Sequence, residues 1–404
     1  MKKTLISQVV AGALLAVGAN ASAQLSNDSV NIGVLTDLSG IYSAIEGPGG
    51  VLAAEMAIKD FGGSVLGKEI ILTSADTQSK ADLSSSKARE MFERDNVDMI
   101  VGNVSTASAL AAMEVAEQMK RVALVTGAAS LPITNERCNA YTVHWVYDTY
   151  ALAHGTGDAV VATGKKTWFF VTADYAFGHT LERDTSEVVT AAGGEVLGNV
   201  KHPIKTTDFT SYLAQAQGSG AQVIGLANAG GDTIGSIKQA SELGIMGSDQ
   251  TVVPLLMFSA DIQALGLRDT QGMNFTVGWY WDYNDANRQF AQRFMEQFNG
   301  KAPTSVQAGV YSATLNYLKA IEAVGTDDSD KVMEYLKSTE IDDGLFKGTI
   351  RQDGKFAHDM YLLQVKSPSE SKGPNDIASV VRVIPAAQAS LPLDQSKCKL
   401  VTGS

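Results

Sequence analysis

Apolar and polar positions along this chain fall into short blocks with two alternating periods. Apolar runs at 30–36, 69–74, 98–101 and 122–126 predict strands, and between them residues 49–61, 82–94 and 108–119 carry the three-to-four-residue apolar spacing of amphipathic helices. The order restarts after residue 148. Helices are predicted over 150–163, 180–192, 209–217 and 233–243, interleaved with strands at 167–172, 195–202, 223–227 and 252–258. Such alternation predicts an α/β fold, a parallel sheet with helices on both faces, made once in each half. Further on, residues 275–283 read as a strand with Trp279, Trp281 and Tyr283 on one face and Tyr280 on the other. Helices at 285–299, 305–324 and 329–338, a turn at 352–355, a last strand at 360–366 and a surface loop at 367–375 complete the pattern.

The first residues bear on the compartment. Lys2 and Lys3, an apolar run from Val9 to Ala19, and Ala21-Ser22-Ala23 have the form of a secretory signal, so residues 1–23 are expected to be removed. The apolar core of that signal is too short to span a bilayer, and no run of about 18 apolar residues follows it. A free periplasmic protein, monomeric and without a lipid anchor, is the expectation. Loss of Lys2 and Lys3 takes the formal charge from −12 to −14, which disfavours nucleic acid and anionic membranes as partners. Cys138 and Cys398 are the two cysteines, expected to bond in an oxidising compartment, the alternative being two separate buried thiols.

In open parallel sheets ligands sit beyond the carboxyl ends of the strands, so the loops there are the candidate site. In the first half these are Asp37–Gly47, with Tyr42 inside it, Asn103–Ser108 with Val104, Ser105 and Thr106, and Gly127–Ser130 with Ala128 and Ser130. Hydroxyls and N–H groups at a helix N-terminus suit a carboxylate, though Ser and Thr there also serve as caps of their own helices. In the second half the loops are Asp174–Gly178, with Tyr175 and Phe177, Asn228–Asp232, and Ser259–Asp261 with Phe258 before it, and Gln307 is a further candidate for the ligand site. Tyr175 and Phe177 could wall a cleft or plug the sheet edge, and Asp232 could meet a ligand or cap its helix. Trp145, Tyr147 and Tyr150 gather at one expected crossing between the halves, and Trp279, Tyr280, Trp281 and Tyr283 at another. Rings beside a cleft suit an aromatic or large apolar ligand, or pack the crossing itself.

Motifs of catalysis are missing. A near P-loop at Gly164-Lys165-Lys166-Thr167 has Ala159 in the place of its first glycine, and no Gly-x-Ser-x-Gly elbow occurs. His144, His154, His179, His202 and His358 show no zinc spacing, so neither metal nor cofactor is expected and an enzyme is disfavoured.

Ile32-Gly33-Val34-Leu35 with a Ser39-Gly40 turn, Ile100-Val101-Gly102 with its hydroxyl-rich loop, Asp174-Tyr175-Ala176-Phe177-Gly178 and Gln307-Ala308-Gly309-Val310-Tyr311 together resemble the periplasmic substrate-binding proteins of ABC transporters, of the branched-chain-amino-acid type. The resemblance runs from about residue 30 to 365. It implies a type I periplasmic binding protein fold: two Rossmann-like lobes joined by a three-segment hinge, with the ligand in the cleft and a permease as partner. Lobe 1 would comprise 28–147 and 276–358, lobe 2 148–275 and 359–385, and 386–404 a C-terminal tail. It further implies a ligand carboxylate held by the loops matching Val104–Thr106 and Ala128–Ser130, with Phe177 as aromatic lid and Tyr42 across the cleft. Met257-Phe258-Ser259 lacks the Glu that the family usually uses for an ammonium, leaving Asp148 and Asp232 as the nearby acids. An aromatic carboxylate is therefore the expected ligand. It would dock on lobe 1 through Thr106, Ser130 and N–H groups, with Phe177, Tyr175 and Asn228 closing over it. The alternatives are an amino-acid receptor of the same fold, a ligand sensor for a signalling partner, and a periplasmic hydrolase.

Overall fold

The computed structural model describes residues 25–403, so the expected signal at 1–23 lies outside the described residues. The first sheet contains β1 (Ser29–Thr36), β2 (Ser64–Val65), β3 (Lys68–Asp76), β4 (Met99–Gly102), β5 (Val122–Val125) and β6 (Thr142–His144), in the order β2-β3-β1-β4-β5-β6. Its pairs are parallel except for the β2–β3 hairpin, whose turn places both Leu66 and Gly67 at positive φ, 51° and 78°. Successive β4 residues serve opposite faces, as a doubly covered strand requires. Met99 and Val101 join the core beneath helices Gly47–Phe61 and Ser305–Val324, while Ile100 joins a smaller core beneath Ala81–Glu93 and Thr106–Met119.

The second sheet, β7 (Thr167–Ala173), β8 (Glu195–His202), β9 (Val223–Ala227) and β10 (Thr251–Pro254), is wholly parallel in the order β10-β9-β7-β8. Trp168 and Phe170 of β7 face one core and Val171 the other. Three short antiparallel strands from later in the chain add β11 (Asn274–Val277) to the second lobe, with β15 (Met360–Val365) and β16 (Ala378–Ile384) beside it. Between them β12 (Glu340–Asp342), β13 (Lys347–Ile350) and β14 (Phe356–His358) form a small sheet of their own. Two α/β lobes of the expected type result.

Several elements differ from the sequence expectation. The strand at 275–283 stops at Val277, because Gly278 passes so close to Val146 that a Cβ would lie 2.6 Å from its carbonyl oxygen. Beyond it the chain turns, and the Asn287 amide takes the Tyr280 carbonyl at 2.8 Å. The rings therefore do not alternate: Trp279 and Tyr280 are both buried and Tyr283 is exposed. The strand expected at 252–258 ends at Pro254, where Leu255 N–H makes a last bond to Leu226 O before the chain opens helix Ser259–Leu265. The helix expected at 150–163 is broken by a π turn at Ala153–Gly157, where Gly155 meets the Thr276 side chain with no room for a Cβ. Strands β2, β6, β12, β13, β14 and β16 were not expected.

The chain passes between the lobes at three adjoining places, near Val146, Gly278 and His358; His358 Nε2 lies 3.2 Å from Trp145 O. A buried ion pair braces them, with Lys355 Nζ 2.7 Å from Asp148. After β16 the tail returns to the first lobe. Arg351 holds Leu391 O at 2.8 Å, Lys397 N–H reaches Asn135 Oδ1 at 2.5 Å, and Cys398 is disulfide-bonded to Cys138, 260 residues away.

Candidate functional site

Strands β1, β4 and β5 end beside one another and face the ends of β7, β9 and β10 across a narrow gap. The loop after β1 is pinned by Asp37, which accepts from Gly40 N–H at 2.6 Å, from Tyr42 N–H at 3.3 Å and from the Ser79 hydroxyl at 2.7 Å. Tyr42 is thereby buried with its hydroxyl 2.8 Å from that of Tyr175 in the opposite lobe. Gly230, at φ 56°, lies against the same loop, where a Cβ would be 2.8 Å from Ile41 O. The two rims touch, so this is a closed arrangement.

Between them lies a narrow cavity, about 10 Å³ in this closed arrangement. Tyr42, Val104, Thr106, Tyr147, Tyr175, Phe177 and Phe258, all expected from sequence, line it, together with Ile45, Gly127, Ala129, Ala229 and Leu256. Thr106 Oγ1 and Ser130 Oγ are 2.9 Å apart, and the Tyr147 hydroxyl donates to Gly127 O at 2.6 Å. Thr106 opens a helix whose first-turn N–H groups have no intrahelical acceptor, and the Ala129 and Ser130 N–H groups find none among the described residues. This end of the cavity can therefore donate to an anion. No charged side chain stands in the wall among the described residues.

The other expected residues are placed elsewhere. Trp145 donates its indole N–H to Ser312 at 3.0 Å and packs on Phe356, so it belongs to the crossing. Asn228 is fully buried within lobe 2, accepting from Thr233 at 2.8 Å and donating to Ser236 at 3.0 Å, which corrects its expected place over the ligand. Asp232 accepts from Lys205 N–H at 3.2 Å and holds that turn, neither meeting the cavity nor capping its own helix. Burial pushes its carboxyl up to about 6. Gln307 forms a capping box with Thr304 and donates to Glu46 O at 3.3 Å, buttressing the loop from behind. Ser105 occupies an N-cap position without making a side-chain cap bond, and Ala128 contributes its carbonyl to His144 at 2.6 Å. Burial pushes His144 down to about 4, so its ring is neutral.

Neither acid considered for an ammonium is free. Burial alone would raise the Asp148 carboxyl, but the Lys355 ammonium beside it brings it below the usual range. Sequence reasoning missed Glu46. It is fully buried beneath the strand ends, where it accepts from Thr126 at 2.6 Å and bonds Thr36 as well. Burial pushes it up to about 7 against the pull of those hydroxyls.

Comparison with known proteins agrees with this architecture. A periplasmic binding protein from Burkholderia mallei is 52% identical, with 92% of this chain and 99% of that one covered at a TM-score of 0.91. A branched-chain amino acid ABC transporter periplasmic ligand-binding protein from Burkholderia xenovorans LB400 is 40% identical, covering 92% and 100% at a TM-score of 0.83. A solute-binding protein of an ABC transporter from R. palustris, solved in complex with benzoate, is 19% identical and shares the fold at a TM-score of 0.81 over 92% of this chain and 99% of that one. The family model for periplasmic binding proteins matches residues 29–374. The chain belongs to that family, as a periplasmic binding protein of the branched-chain-amino-acid type that serves ABC transporters.

Proposed function

We propose that the cleft captures a small organic carboxylate with an aromatic body and delivers it to an ABC permease. The observation that carries this reading is the cavity itself: an uncharged wall rich in rings, with hydroxyls and unpaired N–H groups at one end. Lobe 1, residues 28–147 and 276–358, would take the carboxylate through Thr106, Ser130 and main-chain N–H groups. Lobe 2, residues 148–275 and 359–385, would close with Phe177 and Tyr175 over the ring, the ligand shifting the hinge toward the closed state by binding it better. The benzoate complex of the R. palustris protein is compatible with such a ligand.

An amino-acid ligand is the rival, favoured by the name of the B. xenovorans relative. It would need a carboxylate open to the cavity, and Glu46, behind the wall residue Gly127, is held by two threonines. A thermal-shift screen of the mature protein against benzoate-like acids and branched-chain amino acids decides between them, since a ligand that binds the native state alone raises the melting temperature. Stabilisation by leucine but by no aromatic acid would overturn the proposal.

A further inference from the structure

The cavity wall is uncharged, yet a carboxyl group stands directly behind it. A Cβ on the wall residue Gly127 would lie 2.9 Å from Glu46 Oε1, and one on Gly102 would lie 3.0 Å from Oε2. The wall residue Gly127, with no side chain of its own, thus lies directly against Glu46. Among the described residues its surroundings supply no counter-charge. From the end of β1 it meets the hydroxyl of Thr36 and the buried acid Asp37; from the end of β5, Thr126; from the first crossing, the phenol Tyr147, which bonds Gly127 O. Helix Ser305–Val324 presents the neutral Gln307. A second negative charge placed against Gly127 would face an ionised Glu46 at short range in a medium that screens poorly.

We infer that capture of an anionic ligand loads a proton from solvent onto Glu46, so that the cleft holds its carboxylate with Glu46 as a neutral acid. The two threonines favour the ionised form but can accommodate the neutral one, since a neutral carboxyl accepts from one hydroxyl and donates to the other. Burial already brings the group to about 7 in the closed cleft, within reach of such a change. The inference rests on the carboxylate reading above and adds the charge that accompanies it.

The sign of the effect follows from linkage. An anion raises the affinity of Glu46 for its proton, and the proton raises the affinity for the anion equally. Below about pH 7 the group is already protonated and affinity is flat; above it each binding event takes up a proton, and affinity falls by as much as about tenfold per pH unit. The ligand does not confuse the measurement, since an ordinary carboxylic acid titrates near about pH 4.

The test is titration calorimetry with benzoate from about pH 5.5 to about pH 8.5, in pairs of buffers that differ in protonation enthalpy. Wild-type protein should take up almost no proton at the acid end and approach one at the alkaline end, with affinity falling about tenfold or more over that upper range. Glu46→Gln should bind without proton uptake and with no slope, whatever its affinity. A flat wild-type profile, or an unchanged slope in the variant, would overturn the inference and leave the carboxylate reading standing. Absence of benzoate binding at every pH would overturn both. If the variant does not fold, the carboxyl-carbon NMR signal of Glu46 in wild-type protein replaces it: benzoate should move the signal toward the protonated position near pH 7.5, and an unmoved signal counts against the inference.

Discussion

At the ends of β4 and β5 the hydroxyls of Thr106 and Ser130 meet at 2.9 Å beside the cavity, with N–H groups to spare; at the ends of β7, β9 and β10 the polar side chains turn back into their own lobe, apart from the Tyr175 hydroxyl, which meets Tyr42. Asn228 is spent on Thr233 and Ser236, Asp232 on Lys205 N–H, and Asp261 on Phe258 N–H at 2.9 Å. What remains facing the gap on that side is Tyr175, Phe177, Ala229, Leu256 and Phe258. Both rims end parallel sheets, so topology does not separate their chemistry. The difference lies in where each loop directs its hydrogen bonds: a loop that satisfies itself leaves an apolar lid, and one that does not leaves a polar socket.

Four variants probe that division. Phe177→Ala strips the lid of its ring and should weaken an aromatic ligand by about 3 kcal/mol, roughly 100-fold in Kd by calorimetry; unchanged affinity would mean that lobe 2 does not cover the ligand. Thr106→Ala with Ser130→Ala should cost a carboxylate ligand about 2 kcal/mol, and an equal loss for an uncharged analogue would show that the socket does not read charge. Asn228→Ala leaves buried hydroxyls without their partner and should cost about 1.5 kcal/mol in urea-unfolding stability, with ligand affinity little changed. The reverse outcome, intact stability and lost affinity, would put Asn228 back in the cavity and break the comparison. Tyr42→Phe removes the phenol contact between the rims and should shift Kd by about 1 kcal/mol or less.

The sheets were legible because buried parallel strands are short apolar runs separated by helical periods, as at 30–36, 98–101 and 223–227. Strand β16 was not, although Val380, Val381, Val383 and Ile384 make it apolar: it lies outside the strand–helix alternation by which the others were read, at the edge of a small antiparallel sheet with Val381 57% exposed. The run at 275–283 misled for the opposite reason. Its rings read as a strand, but Gly278 marks the close approach of two crossings, a contact between residues far apart in sequence. In the site, Tyr42, Thr106, Tyr175 and Phe177 were readable from their place after strands. Glu46 was not, since what defines it are Thr36 and Thr126, 10 and 80 residues away. Its one local signal is an acid just before Gly47-Pro48, which ordinarily suggests a helix cap; the side chain makes no cap bond here and dives under the strand ends instead.

The tail bears on how far such a molecule can gape. Leaving β16 and bonded to Cys138 of lobe 1, it forms a covalent tether in addition to the three crossings. A covalent closure spanning 260 residues restricts the unfolded chain by up to about 5 kcal/mol, and in the folded protein it bounds the stroke of the jaws by the slack between Ile384 and Cys398. Material folded in a reducing cytoplasm would lack that stop. It should melt earlier, swing wider and hold its ligand less firmly than the same chain folded after export.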